Sequence, residues 1–143
     1  MSENTERVAL SAETAEMLMA EAEKARGRAY APYSRFCVGA ALLFEDGSIV
    51  SGCNVENASY SLSICAERNA MTTAVAMGLT RPEAIAVAGP DGVFCPPCGA
   101  CRQFLAEFNG AMPVIIRDGG GLRVIALEGL LPSGFSLKDG DAR

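Results

Sequence analysis

The sequence predicts an α/β protein, a three-layer α/β/α sandwich around one mixed five-stranded sheet. Five short apolar runs are bounded by turn residues, and three segments carry helical periodicity or helix-end signals. Their order is helix, two strands, helix, strand, helix, two strands, which sends helices to both faces of a single sheet. The 143 residues are expected to form one domain over 1–143, with 1–8 frayed and 136–143 a flexible tail. That length buries roughly two thirds of the unfolded chain's surface in one core.

Residues 11–29 (SAETAEMLMAEAEKARGRA) place Ala15, Leu18, Met19, Ala22 and Ala25 at helical spacing behind Ser11, a residue suited to the N-cap. FCVGAALLF (36–44) and SIVSGC (48–53) read as antiparallel strands joined by a hairpin turn at Glu45, Asp46 and Gly47. CAERNAMTTAVAMG (65–78) is alanine-rich and ends in Gly78, as a helix with glycine just past its C-terminus does. AIAVA (84–88) is a short buried strand. GACRQFLAEFNG (99–110) carries Phe104, Leu105 and Phe108 on one helical face and stops at Gly110. PVIIR (113–117) and LRVIA (122–126) are strands around DGGG, which reads as a turn and not a phosphate loop, because a strand follows it and no Lys-Ser or Lys-Thr does.

Composition removes several function classes. A net charge of −5 with no Lys/Arg cluster argues against nucleic acid and anionic lipid, whose binding draws on neutralised phosphates. No window approaches the roughly eighteen apolar residues of a membrane span, and the start has no basic stretch leading into an apolar core. The chain reads as cytoplasmic, where six cysteines suit metal binding or burial better than a disulfide framework. Histidine is absent, which removes the commonest zinc ligand and the commonest general base together. A metal must then be held by thiolates or carboxylates, and a general base is expected to be Asp or Glu.

FCPPCGACRQF (94–104) spaces Cys95, Cys98 and Cys101 three apart. Cys98 and Cys101 open a predicted helix and share one side of its first turn. Cys65 opens another helix and supplies a third thiolate, and helix N-termini favour thiolates and depress their pKa values. Three protein ligands leave the fourth tetrahedral position of Zn²⁺ for water, as hydrolytic sites require. The same cysteines, with Cys95 included, also match the opening of an iron–sulfur cluster run. No Cys-Pro follows at the needed spacing, and a cluster leaves Cys65-Ala-Glu67 without a purpose, so Cys95 is expected to be a non-ligand on the approach loop, either a competing thiol or an oxidation-sensitive one.

Cys65-Ala-Glu67, followed some thirty residues on by Pro97-Cys98-Gly-Ala-Cys101, resembles the signature of zinc-dependent nucleobase and nucleoside deaminases. YSRFCVGAALL (33–43), GCNVENASYS (52–61), CAERNA (65–70), PPCGACRQFL (96–105) and LLPSGF (130–135) are similar to the small homotetrameric, three-cysteine cytidine deaminases, over about residues 11 to 135. The resemblance implies hydrolysis of cytidine and deoxycytidine to uridine, deoxyuridine and ammonia in pyrimidine salvage. One zinc per subunit would be held by Cys65, Cys98 and Cys101. Glu67 would take a proton from water, leaving hydroxide to attack C4, and return protons to N3 and the departing amine.

The resemblance also implies substrate contacts: Phe36 stacking on the pyrimidine, the Ala66 N–H on O2, and Asn54 and Glu56 on ribose hydroxyls. Phe135 would reach a neighbouring subunit's pocket, with Tyr60 at that interface, so that a homotetramer completes the active sites. A carboxylate beside an amide suits a hydroxyl and repels phosphate, which points to a nucleoside. Three thiolates leave Zn²⁺ with a net charge of about −1; helix N-termini and Arg68, hydrogen-bonded to ligand sulfur, are expected to offset it.

Plainer readings stand beside these. Cys37 and Cys53, in predicted strands, are expected to be buried hydrophobes. Phe36 opens a strand and is a core residue by default, Glu67 alone is a first-turn glutamate, Asn54 and Glu56 are loop residues satisfying their own backbone, and Tyr60 equally suits a buried structural role. The functional alternatives are a zinc or iron–sulfur binding module, or a deaminase of another aminated base such as blasticidin S.

Overall fold

The Ser11 hydroxyl accepts a hydrogen bond from the Thr14 N–H at 3.0 Å and caps α1, Ala12–Arg26. In this computed structural model residues 10–138 are described; the expected frayed start and the end of the tail beyond 138 lie outside them. The chain continues as β1 (Gly39–Phe44), β2 (Ile49–Cys53), a 3₁₀ turn at Tyr60–Leu62, α2 (Ala66–Ala76), β3 (Pro82–Ala88), α3 (Gly99–Asn109), β4 (Pro113–Asp118), β5 (Gly121–Ala126) and a short α4 (Leu127–Leu130).

The five strands form one mixed sheet in the order β2-β1-β3-β4-β5. Only β3 and β4 run parallel, as strands joined through a helix can, and the other pairs are antiparallel. Alternation along the strands sorts the core into two layers. Ala40, Leu42 and Phe44 of β1, Ile85 and Val87 of β3, and Val114 and Ile116 of β4 pack against α2 and α3. Ala41, Ala84, Ala86, Ala88 and Ile115 face α1 through Ala15, Leu18, Met19 and Ala22. Small residues on that second face let α1 lie close to the sheet. This is the α/β architecture the sequence predicts, with helices on both faces.

Several boundaries differ from the expected ones. Helix α1 ends at Arg26, three residues short of the expected 29, with Gly27 as its C-cap. The first strand begins at Gly39, not at residue 36: the Asn54 side chain occupies the hydrogen-bonding groups of Phe36 and Val38, so residues 36–38 do not join the ladder. Strand β3 starts at Pro82, two residues early, across an irregularity at Leu43/Phe44. The 3₁₀ turn and α4 carry no periodicity that a sequence of this length reveals.

Gly52 fixes where the second helix begins. A Cβ there would lie 2.5 Å from the Ala70 backbone nitrogen and 2.9 Å from the Ala66 carbonyl oxygen, so only glycine lets β2 touch the first turns of α2. The Asn69 side chain secures the same contact by accepting the Cys53 N–H at 3.0 Å.

Candidate active site

Cys65 is the N-cap of α2 and Cys98 the N-cap of α3, and neither thiol caps its own helix. Both side chains are therefore left to turn toward each other. The Cys65 and Cys98 Sγ atoms are 3.8 Å apart, Cys98 and Cys101 are 3.6 Å apart, and all three sulfurs lie within 4.8 Å of one another. Zn–S bonds of about 2.3 Å at tetrahedral angles require S···S separations of about 3.8 Å, so the trio fits a single zinc ion. Among the described residues it is the one such group of potential ligands, and Cys95 is not part of it.

The charges in this corner are mutually dependent. Hydrogen bonding from the Cys101 thiol, then the Arg68 guanidinium and Cys98, lower the Cys65 thiol to about 5. Cys101, donating to Cys65 and buried, is held upward as the proton-bearing partner. Three adjacent thiols cannot all ionise unaided, and a divalent cation removes that obstacle. Arg68 places Nη2 3.6 Å from the Cys65 sulfur, as expected. Its Nε is buried with no hydrogen-bond partner among the described residues, a cationic donor enclosed beside a cluster of sulfur.

Glu67 is 4% exposed, the single buried acidic or basic side chain among the described residues. Burial first, then the Cys65 thiolate, raise its carboxyl to about 7, the range in which a group both takes and gives protons at neutral pH. It lines a cavity of about 420 Å³ with Cys65, Ala66 and Cys98 on one side and Phe36, Asn54 and Glu56 on another, a volume within the range of small-molecule sites. Ala66 is the first residue of α2, and its N–H belongs to the helix start, where such groups have no intrahelical partner.

Phe36 is 41% exposed and belongs to no strand. The core reading is corrected: Asn54 pins the segment outside the sheet, accepting the Val38 N–H at 2.9 Å and donating to the Phe36 carbonyl at 2.8 Å, and the ring faces the cavity. Glu56 arrives by a small ladder in which Val55 bridges both Tyr30 and Ile64. Its Oε1 accepts the N–H groups of Tyr33 and Ser34 at 3.0 and 3.1 Å, and its Oε2 accepts the Ser34 hydroxyl. The hydroxyl bond, ahead of the backbone ones, holds the Glu56 carboxyl below its usual range. Ser34, which carries no pattern of its own in the sequence, is thus a third polar group at this end; its place in YSRF, two residues before Phe36, is the available signal.

Tyr60 is 73% exposed, which corrects the buried structural reading, and meets Tyr33 edge to face with ring centroids 6.1 Å apart. Phe135 is 68% exposed and lines neither this cavity nor the adjacent one formed by Tyr33, Tyr60 and Ile64. Gln103 holds the Phe135 backbone through both its N–H and its carbonyl. The tail is tied down as far as it is described, with the Lys138 ammonium donating to the Glu107 carbonyl at 2.7 Å. Cys95 packs its sulfur against Gly89, and burial raises its thiol to about 11. Cys37 and Cys53 are half-buried and not the fully buried hydrophobes expected; Cys37 precedes the strand, and the Cys53 thiol lies 3.5 Å from the Arg28 carbonyl.

The fold and the sulfur trio together define a thiolate metal centre set at two helix starts, opening on a cavity with a buried carboxyl. Residues 12–117 match the family model described as the cytidine and deoxycytidylate deaminase zinc-binding region, and the chain belongs to that family. It is 50% identical over 126 residues to a cytidine deaminase of Sporosarcina psychrophila, covering 87% of this chain and 93% of that one. It is 47% identical over 126 residues to a cytidine deaminase of Halalkalibacterium halodurans, covering 87% and 96%. The crystal structure of cytidine deaminase from Burkholderia pseudomallei superposes with a TM-score of 0.79 at 47% identity, covering 84% of this chain and 98% of that one. Among the described residues no helix is long and apolar enough to cross a membrane.

Proposed function

We propose that the protein hydrolyses cytidine and deoxycytidine to uridine and deoxyuridine with release of ammonia, as a cytoplasmic enzyme of pyrimidine salvage. The observation that carries this reading is the buried Glu67 carboxyl sharing a cavity wall with Cys65 and Cys98. Cys65, Cys98 and Cys101 hold one zinc per subunit, and when bound the ion supplies the acidification of water toward neutral pH.

Glu67 takes a proton from water and delivers it to the pyrimidine N3 as the hydroxyl adds to C4. It then takes the proton of that hydroxyl and passes it to the exocyclic amine, which leaves as ammonia while the C4 carbonyl forms. Its desolvated surroundings support that exchange, because neither charge state is strongly favoured there. Arg68 offsets the negative charge of the sulfurs. Phe36 stacks on the base and the Ala66 N–H binds O2. Asn54 and Glu56 bind the ribose hydroxyls, and the negative charge of Glu56 disfavours a 5′-phosphate. The exposed Tyr60 and Phe135 are covered in a homotetramer, where Phe135 closes a neighbouring subunit's pocket.

Incubating the protein with cytidine and following ultraviolet absorbance together with ammonia tests this reading directly. Loss of absorbance with stoichiometric ammonia is the expected result. Zinc without either signal would make the chain a binding module, and ammonia from another aminated base alone would move the substrate.

A further inference from the structure

Ser34 occupies a position between two parts of the cavity that have different jobs in the proposed reaction. Its hydroxyl donates to Glu56 Oε2, its N–H donates to Glu56 Oε1 at 3.1 Å, and its oxygen accepts the Phe36 N–H at 2.9 Å. Between them Arg35 adopts φ +62, a left-handed conformation that is unfavourable for a residue other than glycine. The bend is held by this hydroxyl and by the Arg35 N–H to the Ala31 carbonyl at 2.9 Å. Strain of this kind persists where surrounding bonds over-determine it.

We infer that Ser34 is a positioning residue for sugar recognition, orienting the Glu56 carboxylate so that its remaining lone pairs face the ribose hydroxyls. The inference rests on the reading of Glu56 as a hydroxyl-binding group. Glu56 is a half-exposed carboxylate whose side-chain bonds come from Tyr33 and Ser34, and among the described residues the Ser34 hydroxyl is the one group that holds Oε2. Phe36 is different. Its N–H loses the Ser34 oxygen when the hydroxyl is removed, but its carbonyl and the neighbouring Val38 N–H remain held by Asn54, so the sugar end is released while the base end keeps its anchor.

This asymmetry makes Ser34 a determinant of specificity for a hydroxylated sugar. Steady-state kinetics of Ser34→Ala and Ser34→Thr with cytidine, and inhibition constants for 2′,3′-dideoxycytidine, whose ring lacks both hydroxyls, separate the possibilities. Ser34→Ala raises KM for cytidine about tenfold, the scale of a lost hydrogen bond to a charged group, with kcat and zinc content near wild type. Its inhibition constant for the dideoxy analogue stays unchanged, and Ser34→Thr, which keeps a hydroxyl, restores KM.

Equal weakening of both compounds would make Ser34 a plain wall of the cavity, and no weakening of either would remove it from recognition; each overturns the inference. Glu56→Ala measured in parallel reports on the underlying reading. If that variant too fails to distinguish cytidine from the dideoxy analogue, the assignment of Glu56 fails. If it distinguishes them and Ser34→Ala does not, only the role of Ser34 fails.

Discussion

The two ends of the cavity are built by opposite means. At the sulfur end, Cys65, Cys98 and Cys101 sit on the first turns of two helices packed on the sheet, Glu67 is buried, and Gly52 lets strand and helix backbones touch. At the end proposed to bind the sugar, Ser34, Asn54 and Glu56 sit on loops, exposed or half-exposed; Glu56 accepts from Ser34, and Asn54 bonds the backbone of Phe36 and Val38. Bond-making chemistry requires dry, pre-positioned groups whose pKa values the protein sets. Recognition of a hydroxylated sugar tolerates water and needs adaptable polar groups at the mouth. On the proposed reading, the molecule keeps its rigidity where the proton moves and its adjustable contacts where the substrate enters.

Substitutions at the two ends should therefore fail differently. Glu67→Gln preserves shape and removes the proton carrier, and kcat is expected to fall by about 10²–10⁴ while zinc remains bound; a variant of near-normal rate would take Glu67 out of the proton path. Arg68→Gln leaves the sulfur charge uncompensated and should lower zinc affinity or kcat by about 10–100-fold, read from metal titration and initial rates. Unchanged values in both would refute the charge-balancing role.

Glu56→Gln, at the other end, should raise KM for cytidine about tenfold with kcat little altered. Its dependence on acidity has a definite sign. The Glu56 carboxyl is lowered from an ordinary value of 4.5, chiefly by the Ser34 hydroxyl, so the charged form is complete at pH values above that and is lost only as pH falls through the lowered value. KM should then be insensitive to Glu56 across neutral pH and rise only in stronger acid, and a KM already rising toward pH 6 would contradict it. Cys95→Ala should change least: its thiol is raised to about 11 by burial and lies outside the sulfur trio, so zinc content and kcat should stay near wild type.

The same contrast explains what the sequence disclosed. Helix starts and thiols at i and i+3 are local signals, and they suffice to bring Cys65, Cys98 and Cys101 together. Short apolar runs bounded by turn residues mark the five strands of the sheet. The loops resisted because their shapes come from bonds between distant segments, such as Asn54 to Phe36 and Glu56 to Ser34, which leave no periodic trace. The apolar run therefore makes Phe36 open a strand, and nothing periodic marks Ser34. Cys37 and Cys53 were given burial from hydrophobic context alone, whereas one precedes its strand and the other ends one beside a loop carbonyl.

X-ray absorption at the zinc edge on the purified protein bears most directly on the metal centre. Three sulfur scatterers at about 2.3 Å and one oxygen or nitrogen at about 2.0 Å per zinc, with about one zinc per chain, is the predicted result. Four sulfurs, or protein purified in full without zinc, would contradict a centre that reserves one coordination position for water beside Glu67.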